Sequence, residues 1–208
     1  MALTNYSELQ TAIADFLNRD DLTAVIPTFI SLAEGQINRQ IRHWRMENRA
    51  TSTINEQYLT RPSDWLETIR MTVDGAQGVR QVELISRAAL ADKRAQALNT
   101  SGEPRYYTNS EDSYELYPTP DGDYNIEVLY TQKVPALSVS NTTNWLLTDH
   151  PDVYLYGALV HSAPYLQEDG RAATWAQMYG AAVQAVNLSS EKAKYSGSGL
   201  TPKIRGLA

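Results

Sequence analysis

Three histidines are the only imidazoles in this chain: His43, His150 and His161. None lies in a His-Glu-x-x-His spacing, and no cluster of carboxylates has the spacing of a metal cage. His161 falls in a helical pattern as an interface residue, and His150 precedes Pro151 at a capping position. Ser189-Ser190-Glu191-Lys192 matches the Ser-x-x-Lys nucleophile pattern. Its companion Ser-Asp-Asn and Lys-Thr-Gly elements are absent, so it reads as the fraying end of a helix. Asp121-Gly122-Asp123 lacks the run of acids and the distal Glu of a calcium loop and reads as a turn. Gly197-Ser198-Gly199 does not join a strand to a helix, so it is no phosphate cradle. With no cysteine, thiolate nucleophiles, thiolate metal sites and disulfides are excluded. The remaining chemistry is acidic. Glu111, Asp112 and Glu115 are crowded, and a raised carboxyl pKa among them would suit a glycosidase acid. A solvated acidic loop is the simpler explanation. No cofactor is implied.

Those residues sit on elements that periodicity predicts. Asn5 caps a first helix, with Glu8 at capping-box spacing and Tyr6, Leu9, Ile13 and Leu17 on one face. A second helix carries Pro27 in its first turn and the stripe Ile26, Phe29, Ala33, Ile37, Ile41, Trp44. Arg39, Arg42, Arg45 and Arg49 follow at helical steps beside that stripe. They form a solvated face or a contact with a partner subunit or DNA phosphate. From Ala50 the period changes to that of strands: Thr51 to Ile54, then Ile69, Met71 and Val73 to a turn at Asp74-Gly75, then Val79 to Leu84. Ser86 caps a short helix through Leu98. Tyr106 to Tyr117 and Tyr124 to Lys133 read as two strands joined by a Pro/Asp/Gly turn. Asp149 and Pro151 open a further helix that Pro164 should kink or end. The last helix runs from Ala172 to Lys194, and a helix-free tail follows.

The expected fold is therefore α+β and mainly helical. N- and C-terminal helices form a bundle, with a small antiparallel β insertion and an extended C-terminal tail. The expected boundaries are residues 1–49 for the N-terminal helices, 50–137 for the insertion with its short helix, 138–194 for a C-terminal helical hairpin, and 195–208 for the tail. At 208 residues a single core is feasible. Thirteen Tyr against two Phe suit either an interface or a core with a wet rim. The net charge of −6 argues against wrapping nucleic acid. No signal-peptide pattern and no stretch of membrane-spanning length is read in the chain, which predicts a soluble protein, intracellular at synthesis.

Several motifs in order resemble the tail-adaptor proteins of short-tailed bacteriophages, the head-to-tail connector subunits beneath the portal. They are Tyr6-Ser-Glu-Leu-Gln10 with Phe16-Leu-Asn-Arg-Asp-Asp21, Ile30-Ser-Leu-Ala-Glu34 with Ile37-Asn-Arg39, Ile41-Arg42 and Met46-Glu47, and Gly102-Glu-Pro104-Arg-Tyr-Tyr107. Leu116-Tyr-Pro118-Thr-Pro120, Val128-Leu-Tyr130, Thr143-Asn-Trp-Leu-Leu147, His150-Pro-Asp-Val-Tyr154-Leu-Tyr-Gly-Ala158 and Tyr165-Leu166 follow. The resemblance covers roughly residues 6–190.

What it implies is a non-enzymatic virion protein at the head-tail interface, assembled in the host cytoplasm. Copies would form a ring, expected to be a dodecamer matching the portal, that extends the DNA channel without sequence-specific binding. Its partners would be the portal protein, neighbouring adaptor copies and the next tail protein, a nozzle or tail tube, with no membrane. Adaptors of this kind commonly grip the portal with the C-terminal segment. Carried onto this chain, that role falls on Tyr195, Leu200, Lys203, Ile204, Arg205 and Leu207, apolar residues for pockets and basic ones for portal acids. A head-completion or tail-terminator protein is one rival, and a cell-wall-degrading enzyme using Glu111 or Glu115 is another.

Overall fold

The computed structural model describes residues 3–76, 78–96, 100–166, 170–194 and 196. It divides into two compact units: Met1–Trp44 with Val134–Ala208, and Arg45–Lys133.

The first unit is helical: α1 (Tyr6–Leu17), α2 (Ile26–Gln40), α4 (Trp145–Asp149), α5 (Pro151–Leu166) and α6 (Ala172–Lys194). The Asn5 side chain accepts from Glu8 N at 3.0 Å, while the Glu8 carboxylate reaches back to Thr4 N and Oγ1, both at 2.7 Å. One orphan donor of α1, Glu8 N, is thereby satisfied, and Thr4 just ahead of the cap is tied to the first turn. Asn18, in the left-handed region at φ 54°, stops α1. In α2 the buried residues Ile26, Phe29, Ile30, Ala33 and Ile37 make the apolar face. α5 buries Val153, Tyr154, Leu155, Ala158 and Leu159, residues that do not fit one stripe, so it is the central helix. Gly157 makes this possible. A Cβ there would lie 3.2 Å from both the Ala33 Cβ and the Tyr179 ring, so an alanine would require those neighbours on α2 and α6 to give by a few tenths of an ångström.

The second unit is a seven-stranded, nearly closed sheet in the order β1-β7-β3-β4-β5-β6-β2. The strands are β1 (Glu47–Ile54), β2 (Tyr58–Thr60), β3 (Trp65–Gly75), β4 (Gly78–Leu84), β5 (Tyr106–Ser110), β6 (Ser113–Tyr117) and β7 (Tyr124–Gln132). All pairs are antiparallel except β4 with β5. There α3 (Arg87–Gln96) crosses over between the two strands, and a crossover is what returns a chain parallel. Met71, Val73, Tyr114, Leu116, Ile126 and Val128 lie at the heart of a separate core.

This overturns the expectation of a mainly helical bundle with a small β insertion. The described chain is 45% helix and 27% strand, and the β part carries its own core. Three local features hid it. Two register shifts in β3, between Trp65 and Glu67 and between Thr68 and Arg70, break the alternation, so Ile69 is exposed although it is in phase with Met71 and Val73. The run from Tyr106 to Tyr117 is a hairpin rather than one strand. Its Glu111-Asp112 turn places Glu111 at φ 47° with no Gly or Asn to announce it. The strand β2, three residues long, carries no period at all.

Two helix boundaries also differ. α2 ends at Gln40, so Trp44 leaves the stripe and sits on a 3-10 turn, half exposed. A separate helix, α4, precedes Pro151. Asn144 caps it by accepting from Leu147 N at 2.8 Å.

Candidate functional site

The residues considered for chemistry are not brought together as a reaction centre. Glu111 and Asp112 form the β5–β6 turn, and the Asp112 side chain is fully exposed. The Glu115 carboxylate accepts from Arg94 Nη2 at 3.1 Å and from Gln57 Nε2 at 3.0 Å. Asp121 accepts the Tyr124 hydroxyl at 2.7 Å, and Asp123 accepts the Asn55 amide at 3.0 Å. The Ser189 hydroxyl donates to Val186 O at 2.7 Å, one turn back in α6. Among the described residues no three of His, Asp and Glu gather as metal ligands.

The histidines are built into the helical unit. The His43 ring stacks on Trp145 with centroids 4.8 Å apart. His150 separates α4 from α5, its N–H donating to Leu146 O at 2.8 Å. His161 Nε2 meets Gln36 Oε1 at 2.9 Å. Burial, and then the nearby Arg39 charge, hold its pKa below the ordinary value.

The four arginines do not share a helix face, because the helix that would align them ends at Gln40. Arg39 is exposed on the last turn of α2. Arg42 closes that helix: its guanidinium donates to Asn38 O at 2.8 Å and Ile41 O at 2.7 Å, where a cation also suits the helix dipole. Arg45 lies in the 3-10 turn. Arg49 lies on β1 and pairs with Glu127 at 3.5 Å, which Arg70 approaches from the other side at 3.4 Å. This triad belongs to a polar outer face of the sheet with Thr51, Thr53, Thr72 and Asn125 around a shallow cavity of about 560 Å³. Tyr195, Leu200, Lys203, Ile204, Arg205 and Leu207 lie outside the described residues.

The sequence reasoning missed the polar residues that tie the helical unit to itself. Glu34 and Asn38, one turn apart on α2, hold the returning chain: Leu137 N donates to Glu34 Oε1 at 2.7 Å, and Val134 N to Asn38 Oδ1 at 2.9 Å. Burial raises the Glu34 pKa against the lowering effect of that hydrogen bond. Asn144 donates to Pro135 O and to the Tyr154 hydroxyl, each at 2.7 Å. Burial pushes the Tyr154 phenol far above its ordinary range. Asn187 on α6 accepts from Arg42 N at 3.0 Å and donates to Gln40 O at 3.1 Å, while Ser190 Oγ accepts from Trp44 N at 2.9 Å. An Asn just before Trp-Leu-Leu is a capping signal that could have revealed Asn144. The others carry no sequence signal.

The helical unit also has a groove of about 620 Å³ between α2, α5 and α6. Val160, Gly180, Val183 and Leu188 line it, with Gln40 and Gln184 at its polar margins.

The family model described as SU10 adaptor protein matches residues 4–202. The chain belongs to that family, a phage head-to-tail adaptor family. It is thus a phage adaptor structural protein. Membership implies a place in the virion and contact with portal and tail. Among the described residues, no helix is long and apolar enough to cross a membrane. No curated protein matches the chain.

Proposed function

We propose that this protein forms a ring, twelve copies to match the portal, that joins the portal to the tail and extends the DNA channel. The observation that carries this reading is the family match across residues 4–202. The net charge of −6 is consistent with it, since a channel of like charge lets DNA slide without sticking. Residues 195–208 would grip the portal, with Leu200, Ile204 and Leu207 in pockets and Lys203 and Arg205 on acids. Of the arginines considered, Arg39 is exposed on the last turn of α2 and would meet a neighbour or DNA, whereas Arg42 turns Nη1 onto the end of α2 and Arg49 is paired with Glu127. The next tail component, a nozzle or tail tube, would dock on the distal side.

Light scattering on the purified protein, alone and with its phage's portal ring, tests this. A small species that becomes a stoichiometric ring on the portal is expected, and a chain truncated after Lys194 should keep its fold but lose that binding. If the protein ignores the portal, the assignment fails and another neck joint becomes the better reading. Portal binding that survives the truncation would remove the tail from the interface.

A further inference from the structure

The β unit holds a guanidinium whose hydrogen-bonding capacity is unused. Arg61 lies between β2 and β3, and its backbone N–H donates to Asp112 O at 2.9 Å. Its side chain is only 12% exposed. The guanidinium carbon sits over the Trp65 ring, 4.1 Å from the centroid, and 5.9 Å from that of Tyr114. Stacking on an aromatic face holds an arginine without consuming its N–H groups. The Asp112 carboxylate comes no closer than 4.0 Å, beyond hydrogen-bond reach, and its side chain is fully exposed. Among the described residues, nothing accepts a hydrogen bond from this guanidinium. A charged group so far removed from water ordinarily has its acceptors. Other arginines of the β unit have theirs: Arg94 meets Glu115 at 3.1 Å, and Arg49 and Arg70 share Glu127. The platform under Arg61 is also fixed. Trp65 Nε1 donates to Thr68 Oγ1 at 3.0 Å, and that hydroxyl meets the Tyr114 hydroxyl at 2.7 Å.

Arg61 lines a cavity of about 440 Å³ with Pro62, Ser63, Trp65, Asp112 and Lys133. Ser63 and Lys133 are exposed, and their side chains make no hydrogen bond or ion pair among the described residues. The adjoining acid, Asp64, turns its carboxylate to the Tyr130 hydroxyl at 3.0 Å. Two cations therefore line the cavity with one solvated acid, an excess of positive charge in a chain of net charge −6. We propose that this cavity is a phosphate-binding site. Arg61 supplies a charge and N–H donors held in place by Trp65, Lys133 a second charge, and Ser63 a hydroxyl donor. A guanidinium, an ammonium and a hydroxyl around one cavity suit the several acceptor oxygens of a phosphate. A carboxylate, with two, is matched by the guanidinium fork alone. Free phosphate and the DNA backbone both carry that group, and the experiment separates them. The site lies within the β unit and does not rest on the adaptor assignment.

The full-length protein is titrated at low ionic strength with two probes. Phosphorus NMR reads inorganic phosphate, and fluorescence anisotropy reads a labelled short DNA duplex. Arg61→Gln should weaken binding about tenfold, the loss expected for charge-assisted hydrogen bonds. Lys133→Gln, on an exposed side chain, should weaken it about threefold. Asp112→Asn should tighten it about threefold, because it removes the acid 4.0 Å from the guanidinium. Lys192→Gln, the same charge change on α6, should leave it unaltered. Binding of phosphate but not duplex, with these variant effects, identifies the free anion as the source. Binding of duplex but not phosphate, with the same effects, identifies the DNA backbone. Lys133→Gln and Asp112→Asn alter exposed side chains, so they decide the matter even if Arg61→Gln unfolds the protein. No binding of either probe, or affinities that neither of those two variants shifts, would overturn the proposal. Acetate competing as strongly as phosphate would make this a carboxylate site and overturn it too. Neither readout involves the portal, so a negative result leaves the adaptor assignment to its own test.

Discussion

The two units are held together in different ways. In the β unit, backbone ladders join every strand and a continuous stretch of chain supplies all of them. In the helical unit, two segments distant in sequence must be joined, and helix backbones have no hydrogen bonds left to give except at their ends. Side chains do the joining there: Glu34 and Asn38 hold Leu137 and Val134, Asn187 and Ser190 hold Arg42 and Trp44, and Arg171 reaches Phe16 O at 3.1 Å. A polar side chain is therefore a structural joint in one unit and mostly surface in the other. The same substitution should have very different consequences in the two.

The largest effect should come from the β core. Tyr114 is fully buried, its ring 5.6 Å from Tyr107 and its hydroxyl 2.7 Å from the Thr68 hydroxyl. Tyr114→Ala should cost about 4 kcal/mol and collapse hydrogen-exchange protection within residues 45–133. A loss confined to the helical unit would break the comparison. Asn144→Ala comes next, at about 3 kcal/mol. It removes a helix cap and leaves Pro135 O and the Tyr154 hydroxyl without their partner. Urea denaturation should show that loss, and a cost below about 1 kcal/mol would mean the joint is dispensable.

A matched pair sharpens the contrast. Asn187→Ala should cost about 1–2 kcal/mol, because it frees Arg42 N and Gln40 O. Thr53→Ala, which removes an exposed hydroxyl bonded to Asn125 at 3.0 Å, should stay within about 0.5 kcal/mol. Equal costs would erase the distinction between joints and surface. The smallest effect concerns charge. The Glu34 pKa is raised by folding, so its contribution to stability is fully present below the ordinary value of 4.5 and is lost as pH rises through the folded value. Glu34→Gln keeps an acceptor for Leu137 N and removes the buried charge. Melting curves should therefore show the variant slightly more stable at pH 7 and indistinguishable from the parent at pH 3. Lower stability at pH 7 would show that the hydrogen bond needs the charge.

The same contrast explains what could be seen in the sequence. The α1 cap at Asn5, the α2 stripe and the limits of α6 follow from periodicity and local capping, which involve neighbours in the chain. The size of the β unit did not, because its fully buried residues come only one to three to a strand and several are Tyr. Bulges in β3 and a glycine-free turn at Glu111 erased the usual punctuation. Arg42 looked like part of a charged face because its spacing was helical. Its position two residues past the end of α2 turned it into a cap. The joints made by Glu34, Asn38 and Asn187 bridge more than ninety residues of sequence, and nothing local marks them.

Because the helical unit is split, the order in which it can close during synthesis is set. Residues 45–133 are complete once Lys133 has left the ribosome, and that unit can fold at once. α1 and α2 emerge first but must wait for α5, the helix that buries their faces. At about 10 residues per second the delay between the end of α2 and the end of α5 is on the order of ten seconds. Through that interval Phe29, Ile30 and Ile37, buried in the folded protein, lack the helix that covers them.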